Sequence, residues 1–371
     1  LPDEENTVEM SYLQIKNLVK RFGDVVAVDD FTLEIGKDDF LVLLGPSGCG
    51  KTTTLRIIAG LEIQTEGQVL LNGEDISDIP PENRDMAMVF QNLALYPHMT
   101  VYDNIAFYLR NVKTPKDQID RRVREAAEKV QISELLHRYP AQISGGQSQR
   151  VALARSLIRS PKVLLLDEPL ASLDAKLRAN MRSEFKLIHK QVQSEDGGPF
   201  IYVTHDQVEA LTLGTKVAIM NEGHLEQIDT PDRLYNRPQN IFTAKFIGSP
   251  EMNLIEGRVV RCDLGWEFEY GKFRSEIEPD DDAQPKEGKI VLGVRPEDVE
   301  ILTGQGKGIP AEVLTIELMG QNYLVLMQID NDLKVTSLVK SADDIHDGAM
   351  VDISFTPGKI HLFDPETGTR V

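Results

Sequence analysis

Cysteine is nearly absent. Cys49 and Cys262 are the only two in 371 residues, too few and too far apart for a disulfide framework. No apolar run approaches the roughly 18–20 residues of a membrane-spanning helix. The stretches Phe40 to Leu44 and Val163 to Leu166 are strand-sized and end in Gly45 and Asp167. The opening Leu1-Pro2-Asp3-Glu4-Glu5 is acidic where a secretion signal is cationic and then apolar. The expected setting is therefore reducing and cytoplasmic. Basic residues are also in deficit: 40 Lys and Arg face 59 Asp and Glu, a net charge of −19 with a pI near 4.8. That balance excludes the broad basic surface that holds nucleic acid by counterion release, so no nucleic-acid partner is expected. An anionic ligand must be gripped locally.

What is present suits a globular chain. Hydrophobic residues make up 41% and charged residues 27%, enough apolar content to bury a core, and the length suggests two or three domains of about 150 residues. Residues 1–11 read as an N-terminal extension. From Tyr12 to about residue 245, strand-like segments (Leu13 to Leu18 and the nearly all-apolar Phe40 to Leu44, Met86 to Phe90, Val163 to Leu166 and Phe200 to Thr204) alternate with helical stretches such as Lys51 to Ala59, Pro115 to Val130, Gln147 to Arg159 and Ala175 to Gln193. Apolar runs of that length are buried parallel strands, which predicts an α/β domain. After Gly248-Ser249-Pro250 the texture changes to short alternating segments separated by Gly, Pro, Asp and Asn. Residues 246–371 are expected to be β-rich, a sandwich or small barrel with room for two successive modules. This region holds 24 acidic and 12 basic side chains, and its charge run from Glu276 to Glu287 reads as a hydrated loop.

Gly45-Pro46-Ser47-Gly48-Cys49-Gly50-Lys51-Thr52 has the spacing G-x-x-x-x-G-K-[ST] between an apolar strand and a helix. Glycines let the backbone turn with positive φ and approach phosphate, so that N–H groups and the helix N-terminus surround the anion. Lys51 adds a mobile cation, Thr52 offers a hydroxyl to magnesium, and Thr53 continues the cradle. Cys49 is either a small packing residue or a thiol activated by the helix end and Lys51.

Val163-Leu164-Leu165-Leu166 ends in Asp167-Glu168. Because parallel strand ends converge on one edge, Asp167 can reach the metal beside Thr52, and Glu168 the γ-phosphate, where it would orient and polarise water. Two acids closing a strand in solvent fit this segment alone equally well. Ile143-Ser144-Gly145-Gly146-Gln147 opens another helix with small residues, a second cradle that one nucleotide in one domain hardly needs.

With that segment the sequence resembles the ATP-binding-cassette (ABC) ATPases, whose signature is close to Leu-Ser-Gly-Gly-Gln; Ile143 replaces the leucine. The resemblance implies an α/β P-loop ABC ATPase domain over 12–245, with a helical subdomain inserted at about 92–160. It places Phe22 on adenine, Gln91 at the magnesium and water, Ser144, Gly145, Gly146 and Gln147 on nucleotide, Asp174 in the aspartate loop and His205 on the γ-phosphate. Taken alone, His205 reads as an ordinary satisfied histidine and Phe22 as a core aromatic. The resemblance implies ATP and Mg2+ as ligands, and a head-to-tail homodimer in which each signature completes the other chain's site.

Phe246-Ile247-Gly248-Ser249-Pro250 and Gly293-Val294-Arg295-Pro296-Glu297-Asp298 are similar to the OB-like, TOBE-type accessory domain of carbohydrate-importer ATPases, the maltose type among them. The subgroup implies a subunit peripheral to the cytoplasmic face of the membrane, docked on two permease subunits. An extracytoplasmic solute-binding protein acts indirectly, and the accessory domain either stabilises the dimer or binds a regulatory protein. The surface after Gln91 (Leu93, Leu95, Tyr96) either receives the permeases or packs within the helical subdomain. Importers of polyamines, glycerol phosphate or oxyanions remain alternatives, as does a soluble non-transport ABC ATPase.

Overall fold

The structure, a computed structural model, describes residues 11–262, 265–271, 273–277, 286–302, 308–330 and 333–371. The expected loop from Glu276 to Glu287 lies mostly outside the described residues. The chain forms two compact units, residues 1–232 and 233–371.

In the first unit the strands are β1 (Leu13–Phe22), β2 (Val25–Ile35), β3 (Phe40–Leu44), β4 (Glu66–Leu71), β5 (Glu74–Asp75), β6 (Met86–Val89), β7 (Val163–Asp167), β8 (Phe200–Thr204), β9 (Lys216–Asn221) and β10 (His224–Asp229). The helices are α1 (Lys51–Ile58), α2 (Val101–Asn111), α3 (Lys116–Lys129), α4 (Gly145–Leu157), α5 (Ala175–Ser194) and α6 (Gln207–Leu213). One sheet runs in the order β10-β9-β3-β8-β7-β6. Its strands β9, β3, β8, β7 and β6 are parallel, and every residue of β3, β7 and β8 is buried, as the unbroken apolar runs require.

The parallel registers pair Leu44 with Thr204, Leu166 with Tyr202, and Val89 with Leu166. The carboxyl ends of β3, β8, β7 and β6 therefore share one edge, and the segments leaving them carry Gly45, His205, Glu168 and Gln91. Ligands bind at this edge in α/β sheets.

A second, antiparallel sheet, β2-β1-β4-β5, contains the strand-like run Leu13 to Leu18 together with strands that the sequence does not announce. Strand β2 alternates buried and exposed residues, and bulges in its pairing with β1 lie beside Asn17 and Asp30, both at positive φ. Those irregularities break the period-2 signal. Its inner face joins the main core through Leu13, Ile15, Phe31 and Leu33.

Helices α2, α3 and α4 pack on one another within the expected helical subdomain. The Thr100 hydroxyl caps α2 by accepting from the Asp103 N–H at 3.1 Å. The buried Asn104 on α2 ties the preceding loop down, accepting from the Tyr96 N–H at 2.8 Å and donating to the carbonyls of Tyr96, Met99 and Thr100.

The second unit contains α7 (Pro231–Asn236) from its third residue onward, α8 (Ile241–Phe246) and the strands β11 (Asn253–Cys262), β12 (Gly265–Tyr270), β13 (Phe273–Ile277), β14 (Gly288–Val294), β15 (Val299–Leu302), β16 (Ile309–Met319), β17 (Asn322–Gln328), β18 (Lys334–Val339), β19 (Met350–Phe355) and β20 (Ile360–Phe363). Two five-stranded antiparallel sheets, β13-β12-β11-β14-β20 and β15-β19-β16-β17-β18, share one core that includes Val259, Phe268, Leu292, Val313, Val325 and Ile353. The two compact units divide inside α7, and the expected 245/246 division lies within the second of them. Ile241 and Ala244 of α8 pack with Met252, Leu254, Val291 and Phe363, and the Arg295 guanidinium, over the Tyr235 ring at 3.6 Å, donates to the Ile247 carbonyl at 2.7 Å. Both helices are thereby bound to the β-rich unit.

Candidate nucleotide site

Between β3 and α1 the chain must reverse tightly against packed backbone. Gly48 and Gly50 have φ of 83° and 103°, and Gly50 is the N-cap of α1. A Cβ on Gly45 would lie 2.2 Å from the Met220 carbonyl oxygen, and one on Gly50 would lie 2.3 Å from that of Ala27. Gly48, by contrast, faces open space. The loop is thus clamped on its inner side and bare at its exposed tip, Ser47 and Gly48, which is the shape a close-fitting anion needs.

The Lys51 ammonium is buried in this loop and donates to the carbonyls of Gly45 at 2.8 Å and Pro46 at 2.7 Å. Cys49 is a free, buried thiol whose Sγ lies 3.6 Å from Lys51 Nζ. It belongs to the apolar core, which agrees with a packing role.

One helical position on, the Thr52 hydroxyl donates to Asp167 Oδ1 at 3.0 Å. Burial pushes the Asp167 carboxyl above its ordinary range; Thr52, Arg56 and Lys51 oppose the rise, and Glu168 adds to it. A buried carboxylate beside a hydroxyl is a hard-oxygen donor pair of the kind Mg2+ takes, and a bound divalent cation would favour the charged form that burial penalises. The donor set fits the metal.

Glu168 occupies the left-handed region at φ 42°, a conformation that costs a non-glycine residue roughly 1–3 kcal/mol. The chain turns there because the Glu168 N–H still continues the sheet to the Val203 carbonyl at 3.1 Å, while its own carbonyl accepts from the Ala171 N–H at 3.2 Å. Its carboxylate faces two other expected residues: Gln91 Nε2 lies 3.5 Å from Oε2, and His205 Nδ1 lies 3.2 Å from Oε1. Three strand ends far apart in sequence thus converge on one carboxylate, flanked by exposed polar groups that can hold a water.

The remaining expected residues form other groups. Ser144 caps α4 in a capping box: its Oγ accepts from the Gln147 N–H at 3.3 Å, and Gln147 Oε1 from the Ser144 N–H at 2.9 Å. The helix consequently begins at Gly145, two residues before the expected Gln147. Cβ atoms on Gly145 and Gly146 would lie 3.2 Å from Leu173 Cδ2 and 2.9 Å from Leu177 Cδ1, so this group leans on the segment around Asp174. Asp174 Oδ1 accepts from the Leu177 N–H at 2.9 Å and caps α5. Phe22 is 48% exposed at the end of β1, with Lys20 Nζ 4.5 Å above its ring; that is a surface aromatic and not a core one. The Tyr96 ring lies tilted by 40° against Phe107, with centroids 4.7 Å apart, so it packs within the helical subdomain.

Two features escaped the sequence reading. Glu209 is buried and accepts hydrogen bonds from the hydroxyls of Tyr202 at 2.9 Å and Thr204 at 2.7 Å, immediately beside His205. Arg155 on α4 donates to the carbonyls of Leu93 at 2.7 Å and Ala94 at 2.6 Å, strapping the segment after Gln91 to the helix that Ser144 opens. Neither has a local sequence signature; a helical Glu and Arg read as solvated charges.

No described helix is long and apolar enough to cross a membrane. Residues 28–171 match the ABC transporter family, residues 248–299 the MalK OB fold domain and residues 292–363 the TOBE domain. The chain is 44% identical to the trehalose/maltose import ATP-binding protein MalK of Thermococcus litoralis, over 98% of this chain and 100% of that one. It is 44% identical to the xylose/arabinose import ATP-binding protein XacJ of Haloferax volcanii over 98% and 96% of the two chains, and 42% identical to the oligosaccharides import ATP-binding protein MsmX of Bacillus subtilis over 98% and 100%. Among solved structures it is similar to the dimeric post-hydrolysis ATP-binding cassette MJ0796 bound to ADP and Pi, with 29% identity and a TM-score of 0.52 over 59% of this chain and 98% of the other. A clamped phosphate loop, a carboxylate at the convergence of three strand ends and relatives matched end to end agree: the chain belongs to the ABC transporter ATPases, in the branch whose ATPase domain is followed by MalK OB fold and TOBE domains.

Proposed function

We propose that this chain is the ATP-hydrolysing, energy-coupling subunit of an importer for sugars or oligosaccharides, working as a head-to-tail homodimer beneath two permease subunits at the cytoplasmic face of the membrane. The import relatives over the full length support the transport reading. The dimeric cassette relative, together with a signature group built as a helix N-terminus of its own, supports the paired arrangement.

In this reading the backbone N–H groups of the exposed Ser47 and Gly48 receive the phosphates, and Lys51 supplies the neutralising cation. Thr52, Asp167 and Gln91 would hold Mg2+, which supplies charge neutralisation at the phosphate oxygens when bound. Phe22 presents its exposed ring to adenine, and Ser144 to Gln147 with Asp174 serve the nucleotide of the partner subunit. Glu168 accepts a hydrogen bond from the attacking water and aligns it with the γ-phosphorus; Gln91 and His205 hold that carboxylate in place. Catalysis here comes from positioning and electrostatics, because phosphoryl transfer leaves the protein little covalent chemistry to do.

The observation that carries this assignment is the Glu168 carboxylate set between Gln91 and His205 at 3.5 and 3.2 Å. Glu168→Gln should retain ATP binding, measured by equilibrium titration, and lose about 10²–10³-fold in kcat. Turnover within threefold of the parent would remove Glu168 from the role. Reconstitution with candidate permeases and a sugar-loaded binding protein then tests the transport reading, which requires stimulated hydrolysis.

A further inference from the structure

Between the Asp174 segment and the His205 segment stands one side chain that the site described above does not use. Arg178 lies one turn into α5, where its N–H bonds to the Asp174 carbonyl at 2.9 Å. Its side chain folds back toward the start of the helix and divides between two segments. One terminal nitrogen donates to the Leu173 carbonyl at 3.0 Å, and the other approaches Asp206 Oδ2 at 3.3 Å. Nε is buried and has no partner among the described residues, so the two terminal nitrogens make the whole link.

Both ends of that link are set firmly. On the first side, Leu173 and Leu177 back Gly145 and Gly146, and Asp174 caps α5. On the other, Asp206 Oδ1 accepts from the N–H groups of Val208 at 2.8 Å and Glu209 at 3.1 Å, capping α6. The Asp206 N–H donates to the Thr204 hydroxyl at 3.0 Å, which in turn donates to the buried Glu209. His205 is therefore held between two anchored neighbours, with its imidazole against Glu168. A displacement of Leu173 and Asp174 reaches the His205 segment through a planar, five-donor guanidinium, whose two divergent contacts a single ammonium does not reproduce.

We infer that Arg178 is a positioning residue for ATP hydrolysis: it couples the Asp174 segment to the His205 segment and so sets the imidazole relative to the Glu168 carboxylate. The inference rests on the proposed roles of Asp174 and His205. It adds a physical connection between the group that serves the partner subunit and the chain's own hydrolytic carboxylate.

The test is steady-state ATP hydrolysis by the full-length chain, titrated with ATP, for Arg178→Met, Arg178→Lys, Asp206→Asn and the double variant Arg178→Met with Asp206→Asn. Asparagine keeps the Oδ1 acceptor that caps α6, and a thermal melt reports the folded fraction of each. A misplaced catalytic group loses rate more than affinity. The expected result is a fall in kcat of about tenfold or more for Arg178→Met with KM within about twofold, and a smaller fall for Arg178→Lys. The double variant should be no slower than Arg178→Met, since both changes break one link. A kcat per folded molecule equal to the parent in Arg178→Met, or losses that multiply in the double variant, overturns the coupling. If Arg178→Met does not fold, Arg178→Lys and Asp206→Asn decide in the same way. His205→Ala is the control: full turnover there overturns the site reading itself, whereas a dead His205→Ala beside a normal Arg178→Met overturns only the role of Arg178.

Discussion

At the scale of the residue, the chemistry separates into groups that announce themselves and groups that do not. Lys51, Thr52, Asp167 and Glu168 stand at motif spacings, and the structure brings the first three together around one hydroxyl–carboxylate contact. Glu209 carries no local signature, yet it is buried and accepts hydrogen bonds from two hydroxyls of β8. Burial holds the Tyr202 phenol well above its usual range, and the neighbouring Glu209 carboxylate adds to that shift. Glu209→Ala removes the acceptor of two buried hydroxyl groups, an expected loss of about 3 kcal/mol in unfolding free energy by denaturant titration. Glu209→Gln keeps one acceptor and should lose less; equal losses would contradict the hydrogen-bond account.

At the scale of the element, apolar runs identify buried strands well and irregular strands poorly. Strands β3 and β8 have the bounds of their apolar runs, Phe40–Leu44 and Phe200–Thr204, because a strand covered on both faces is apolar almost throughout. Of the antiparallel sheet only the run Leu13 to Leu18 is legible, because bulges and positive-φ residues interrupt the pairing of β1 with β2. Helix starts depend on side-chain caps, so α4 begins where Ser144 and Gln147 exchange hydrogen bonds and not where its amphipathic period begins. The start of α1 depends instead on backbone conformation. Gly50→Ala places a Cβ against the Ala27 carbonyl at a φ that L-residues avoid, so it should cost roughly 1–3 kcal/mol of stability. It should also weaken ATP binding by moving the loop's N–H groups. Unchanged thermal stability and nucleotide affinity would show that the clamp yields freely.

At the scale of the whole molecule, the acidic β-rich unit has a pH dependence of its own. Burial, with Arg295 and Lys359 nearby, lowers the His361 imidazole from 6.5 to about 4. The unfolded chain takes up that proton near pH 6.5, and the folded chain only near 4. The side chain therefore costs nothing above pH 6.5. Stability falls as the pH drops from 6.5 to 4, by an amount on the order of 3 kcal/mol. His361→Gln should flatten that part of the profile, read as the difference between the two proteins' denaturation midpoints across the window. Parallel profiles would mean that the imidazole is hydrated in the folded chain.

The texture of the sequence changes near residue 246, whereas the compact units divide inside α7. Ile241 and Ala244 are apolar residues of a short helix, and only the tertiary structure decides which core receives them. The same distinction runs through the site. Residue type and spacing along the chain determined the phosphate loop, the carboxylates that close β7 and the small-residue segment that opens α4, because each is a local relation between backbone conformation and side-chain chemistry. Strand order decided the rest. It brought Gln91, Glu168 and His205 to one point, kept Ser144 to Gln147 with the Asp174 segment, and set Arg178 between Leu173 and Asp206. Those meetings join residues from separate strands and loops, and parallel pairing, which sets which strand ends are neighbours, leaves no trace in the spacing of any single segment.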